Sequence, residues 1–279
     1  MDLKQIVILA LQVSVVCTVF GFGLKTTTDD LSYLIRLPGL LLRSLLAVFV
    51  VMPVVAVLLS LLFDFEPTVE RALIALAVSP VPPLLPQKES KAGGEGHYAL
   101  GLMAIVAIMA MVVTPLEILI IQRVAGRPLE MATGAVVRVV LISTLLPLAA
   151  GVAVRSFIPG LAAGIEKPVA MIVKVLLPLA LLVLLAGAAP ALLALIGQGG
   201  IVIAMVVFLA IGLVVGHILG RPDRNHSVVL GLSTACRHPA IALSIAAANF
   251  PGESFGAIIL LYVLLGAIVG VPYLAWNRR

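Results

Sequence analysis

Ala77-Val78-Ser79-Pro80-Val81-Pro82-Pro83-Leu84-Leu85-Pro86-Gln87-Lys88-Glu89-Ser90 decides the fold of this chain. The stretch lies in an apolar run of about residues 69–91, and a bilayer span needs about 20 residues. It cannot be one helix. Each proline removes an amide donor and clashes with the carbonyl four residues back. Here Pro80, Pro82, Pro83 and Pro86 fall within seven residues. A second apolar run is interrupted in the same way, at Ser233-Thr234-Ala235-Cys236-Arg237-His238-Pro239-Ala240. Irregular backbone at membrane depth persists only where it is buried in protein or lines an aqueous cavity.

The remainder of the chain suits a bilayer. Its 279 residues are 62% hydrophobic and 11% charged, against roughly 25% charged in soluble domains. A water-soluble domain could not hide that much apolar surface. Polar punctuation marks nine spans, at about 5–24, 39–63, 69–91, 97–122, 132–156, 168–195, 200–219, 227–249 and 255–276. The expected class is an all-α polytopic membrane protein with nine transmembrane helices. Turn residues fill the gaps: Asp64-Phe65-Glu66-Pro67, Ala125-Gly126-Arg127-Pro128, Gly220-Arg221-Pro222-Asp223 and Pro251-Gly252-Glu253. No soluble domain or low-complexity tail fits. Ile6 to Leu24 lacks a small-residue cleavage site and is long enough to span, so it is expected to remain as a helix. Cys17 and Cys236 sit inside apolar runs, which points away from a disulfide framework or a zinc site.

The net charge of +5 comes mostly from loops and helix ends, where cations set topology; nucleic acid is not the expected partner. One side receives Lys25, Arg36, Arg43, Lys91, Arg155, Lys167, Arg221, Arg224, Arg278 and Arg279. The other receives Lys4, Arg71, Arg123, Arg127 and Arg138. Ten against five puts the C-terminus in the cytoplasm and the N-terminus outside, in a cell membrane. If spans one to four and six to nine are repeats, span three corresponds to span eight, and the odd offset makes the repeats inverted. Interrupted spans in matching positions are the best sequence pointer to a secondary transporter's binding site.

Lys88 and Arg237 are the cations at the two breaks. Each costs roughly 2.5–3.5 kcal/mol at a helix centre on the insertion scale. Two readings stand beside each other. Tilted spans would let both side chains snorkel to an interface; otherwise both line a central cavity and present positive charge to an anion, aided by half-helix N-termini. His238 is expected to be structural, with proton coupling left open by its titration near neutral pH. His217 is expected to be structural. Glu89 serves either as a counterion for Lys88 or as part of the cytoplasmic vestibule. Glu117, Arg138 and Lys174 are expected to snorkel from helix ends, and Met103, Met109 and Met111 to pack. Neither a zinc helix, a nucleophile elbow nor a Walker A loop occurs, so no enzyme, cofactor or metal is expected.

Gly21-Phe22-Gly23-Leu24, Asp30, Arg36-Leu37-Pro38 and Met52-Pro53 resemble the opening of the bile acid:sodium symporter family. Span three, with Gly96-His97-Tyr98-Ala99-Leu100 after it, resembles that family's first crossover. Cys236-Arg237-His238 with Ala242-Leu243 resembles the second. The resemblance implies broken spans that cross, and a core domain (25–124 and 198–279) moving against a panel domain (1–24 and 125–197) by alternating access. Substrate would bind in the cleft between them. Onto this chain that carries Gln87, Lys88, Arg237, His238 and Pro239. The family's first sodium site falls on Gln87, Lys88 and Ser233, and its second on Ser233, Thr234, Cys236 and Arg237.

Departures from the family pattern are concentrated at those positions. Pro82-Pro83 stand where the family has Pro-Gly, and Gln87-Lys88 where it has Ser-Asn. Ser233 stands for Glu, Ala235 for Gly, and Arg237-His238 for Gln-Asn; Gly101 to Val113 contains no hydroxyl. A unit charge about 4 Å from Na⁺ costs roughly 4 kcal/mol at an effective dielectric near 20, close to a thousandfold in affinity. The expected protein is a sodium-site-deficient member: a sodium-independent transporter of small organic anions, working as a facilitator, an exchanger or a proton-coupled carrier. Lys88 and Arg237 would replace the two ions. A monomer or weak dimer in the lipid bilayer is expected. A non-transporting receptor or scaffold on the same fold, and a sodium symporter with rearranged sites, are the alternatives.

Overall fold

A computed structural model describes residues 3–63, 65–82, 85–125, 138, 141–250 and 255–277. The expected turns at 126–128 and 251–253, together with Asp64, Pro83, Arg127, Arg278 and Arg279, lie outside the described residues, as do the side chains of Lys4 and Gln87. All described elements are helical. In chain order they are α1 (Leu3–Gly23), α2 (Thr28–Tyr33), α3 (Pro38–Leu46), a π turn (Ala47–Val51) and α4 (Met52–Phe63). Then come α5 (Pro67–Val78), α6 (Leu85–Lys91), α7 (Gly96–Ala125), a second π turn (Leu141–Leu145) and α8 (Leu146–Phe157). The chain continues with α9 (Pro159–Gly197), α10 (Gly199–Leu219), α11 (Arg224–Ala235), α12 (Pro239–Asn249) and α13 (Gly256–Asn277).

Among the described residues, five helices are long and apolar enough to cross a membrane: Pro38–Phe63, Gly96–Ile121, Pro159–Gly197, Gly199–Leu219 and Gly256–Asn277. Leu9–Gly23 and Leu141–Phe157 are shorter apolar helices. The expected third and eighth spans are each divided in two. α5 ends at Val78 and α6 begins at Leu85; α11 ends at Ala235 and α12 begins at Pro239.

Proline spacing accounts for where helices break and where they only deform. Both π turns lie just before a proline, Pro53 and Pro147. Each proline would meet the carbonyl four residues back, and one inserted residue in the ladder relieves the clash. α9 runs through Pro168, Pro178 and Pro190 without a break over 39 residues, because full turns separate them. It begins well before the expected residue 168, since Pro159 occupies its first position, where proline is favoured. At about 58 Å it exceeds the hydrocarbon core. Its first turns therefore lie at the surface, where Glu166 pairs with Lys25 at 3.1 Å.

α1 packs along α8 and α9. Its crossing with α8 is backbone against backbone: a Cβ on Gly23 would lie 2.8 Å from the Gly151 Cα. Two large clusters of buried residues hold the helices together. One joins α4, α5, α10, α12 and α13 with Ile118 and Ile121 of α7 and Leu192 of α9, and the other joins α3, the first π turn, α7 and α11 with Leu85 of α6 and Leu213 of α10. α10 and α11 touch through Gly216, where a Cβ would meet the Gly231 Cα at 2.7 Å.

Candidate functional site

The two broken segments meet. The His238 amide donates to the Pro80 carbonyl at 2.9 Å, joining one break to the other by backbone. Breaking two helices frees backbone groups that must find partners when buried, and they can be followed one by one. At the end of α5, the Thr114 hydroxyl donates to the Val78 carbonyl at 3.0 Å and Ser79 Oγ to Leu76 at 2.8 Å. At the end of α11, Tyr262 Oη donates to the Ala235 carbonyl and accepts from the Arg237 amide, both at 2.7 Å. His238 Nδ1 accepts from the Ile241 amide at 3.3 Å and so caps α12.

Arg237 lies at the centre of this arrangement and is 1% exposed. Its guanidinium donates to the Ser79 carbonyl at 3.2 Å and to the Val48 carbonyl at 2.6 Å. Val48 belongs to the first π turn, so one side chain ties three segments: the break after α5, the break after α11 and the bulge before Pro53. Lys88 is placed differently. It is exposed on α6, and among the described residues it donates no hydrogen bond to a crossover carbonyl. It lines a cavity of about 160 Å³ with Pro82, Cys236, Arg237, Pro239 and Tyr262. The cation pair of the sequence reading therefore divides, with Arg237 in the lattice of carbonyls and Lys88 on the cavity wall.

Glu89 meets neither of its expectations. It is fully buried, forms no ion pair with Lys88 among the described residues, and accepts from Ser233 Oγ at 2.7 Å. Ser233 stands where the family pattern has Glu, so a carboxylate from α6 reaches the position that α11 does not fill. Thr234 and Cys236 complete the expected second ion position; the Thr234 hydroxyl is buried without a partner among the described residues, and the Cys236 thiol is free. Glu117, expected to snorkel, is 7% exposed because Phe49, Pro53 and Ile121 stand around it. Arg138 and Lys174 are exposed. His217 Nδ1 lies 2.9 Å from Tyr273 Oη, a structural role, and Met103, Met109 and Met111 pack in or against the buried clusters.

Tyr262, Thr114 and Glu117 take part at or beside the crossing without having been singled out as site residues. Tyr262 had a readable signal, a phenol in the middle of the apolar run of the ninth span, away from the Tyr273 near its end. Thr114 follows directly on the hydroxyl-free stretch ending at Val113.

The model of the sodium bile acid symporter family matches residues 12–195, which include the first break and stop before the second. No curated protein matches the chain. Since the match covers more than half of the chain, and the helices are those of a multi-pass membrane protein, the chain belongs to the sodium bile acid symporter family of membrane transporters.

Proposed function

We propose that this protein is a sodium-independent secondary transporter of small organic anions. It works by alternating access between the core (25–124, 198–279) and the panel (1–24, 125–197), with nine spans, the N-terminus outside and the C-terminus cytoplasmic. One observation carries the reading: the Arg237 guanidinium is hydrogen-bonded to the Ser79 and Val48 carbonyls at the crossing. Carbonyls that would otherwise need a cation there receive a permanent one. The adjoining cavity supports the substrate class. It presents Lys88 on otherwise largely apolar walls, and its small volume suits a short carboxylate better than a steroid. In this reading Lys88 meets the substrate, whereas Arg237 holds the backbone.

Uptake of radiolabelled short-chain carboxylates into proteoliposomes, with Na⁺ or K⁺ at equal ionic strength, tests it. Saturable uptake of equal rate in both salts is expected. Uptake that requires Na⁺ would overturn it, as would the absence of any saturable anion flux. Glu89 favours one second reading, a sodium symporter with rearranged sites, because its carboxylate supplies an oxygen beside Ser233. A rise in melting temperature on replacing K⁺ by Na⁺ would support that reading.

A further inference from the structure

A second cavity, of about 410 Å³, lies between the first π turn with α4 and the C-terminal part of α7. Phe49, Pro53, Val57 and Ile121 are among its walls, and every lining residue except Glu117 is apolar. Its volume is in the range of small-molecule sites. Glu117 is 7% exposed, and neither carboxylate oxygen has a hydrogen-bond partner among the described residues. A buried carboxylate left this way is costly unless something pairs with it.

Arg237 does not supply the partner. Its terminal nitrogens donate to the Ser79 and Val48 carbonyls, and among the described residues its Nε has no hydrogen-bond partner and no ion pair joins it to Glu117. Both oxygens of Glu117 are buried without a hydrogen-bond partner among the described residues, in a side chain that forms part of the cavity wall. The outer wall is a stripe of α4 and its π turn. Val50, Val54, Leu58 and Leu61 repeat at three- and four-residue spacing and are between 49% and 70% exposed. In a membrane that stripe faces the bilayer, so an occupant enters from the lipid side. Eleven residue-to-residue rises from Val50 to Leu61 give it a length of about 16 Å, enough to lay one alkyl chain along it.

We propose that this cavity is a binding site for a single-chain amphipathic amine, whose ammonium group pairs with the Glu117 carboxylate while its chain lies along Val50, Val54, Leu58 and Leu61. The walls contribute apolar contact, and the carboxylate selects positive charge through charge-assisted hydrogen bonds. An anionic amphipath of the same length is rejected by that carboxylate. The site is separate from the Lys88 cavity and does not depend on transport.

The test is equilibrium binding of a fluorescent dodecylammonium probe to the full chain in phosphatidylcholine nanodiscs, with empty nanodiscs subtracted. Saturable binding is expected, competed by unlabelled dodecylammonium and not by dodecyl sulfate. Glu117→Gln should weaken it at least tenfold. Val54→Trp, which fills the cavity and keeps the carboxylate, should produce a similar loss and serves where the Gln variant does not fold. Unsaturable binding would overturn the proposal. So would equal competition by dodecyl sulfate, or wild-type affinity in either folded variant.

Discussion

Lys88 and Arg237 look alike in the sequence and differ in the folded protein. Each is a cation within an apolar run, beside prolines that interrupt a helix. Arg237 ends at 1% exposure with two carbonyls on its guanidinium, whereas Lys88 is exposed at a cavity wall. The cause is how each break is closed. After α11 only Cys236 to His238 separate the two helices, so Arg237 projects straight into the crossing. In the other segment α6 resumes before Lys88 is reached, and a residue on that short helix points Glu89 inward and Lys88 outward. A delocalised, planar guanidinium suits two divergent carbonyls, and an ammonium on a flexible stem suits a wet surface.

The largest effect expected from breaking this contrast is in Arg237→Gln. Two buried carbonyls lose their donor, at about 1–3 kcal/mol each, and the melting temperature in detergent should fall by several degrees. A melting temperature unchanged from wild type would show that the guanidinium holds nothing together. Tyr262→Phe comes next, since one hydroxyl serves both the Ala235 carbonyl and the Arg237 amide. About 2 kcal/mol is expected, together with faster amide exchange at Arg237. Ser233→Ala removes the donor to Glu89 and should cost about 1–2 kcal/mol. Glu89→Gln keeps an acceptor for Ser233 and should cost less, so equal melting shifts in the two variants would show that the Ser233–Glu89 bond is not what matters. Lys88→Gln should change stability by no more than about 0.5 kcal/mol while lowering anion uptake; a large melting shift would erase the contrast with Arg237.

The smallest effect concerns a contact outside the crossing. Burial opposes the charge on Asp30, yet the Thr27 hydroxyl and amide and the His97 ring hold its carboxyl below the ordinary carboxylate range. A lowered folded-state value means stabilisation that is complete above the unfolded value and is lost as pH falls through the folded one. The melting temperatures of wild type and Asp30→Asn should therefore differ at neutral pH and converge in acid, below about pH 4.

The sequence by itself determined the class of the protein and the position of both breaks. Apolar runs of span length are a one-dimensional property, and clustered prolines forbid a helix whatever surrounds them. Pro80, Pro82, Pro83 and Pro86 could be read that way, and so could Arg237 as a residue that needs partners. What a solitary proline does is less legible: Pro168, Pro178 and Pro190 leave α9 continuous, and Pro53 and Pro147 are preceded by π turns. Only the tertiary structure decided which groups answer the broken helices. Val48, Thr114 and Tyr262 come from other spans, and Glu89 reaches Ser233 across 144 residues of chain. Each of those bonds depends on how helices rotate and cross against one another, and the rotation of a uniformly apolar helix leaves almost no trace in its residue pattern.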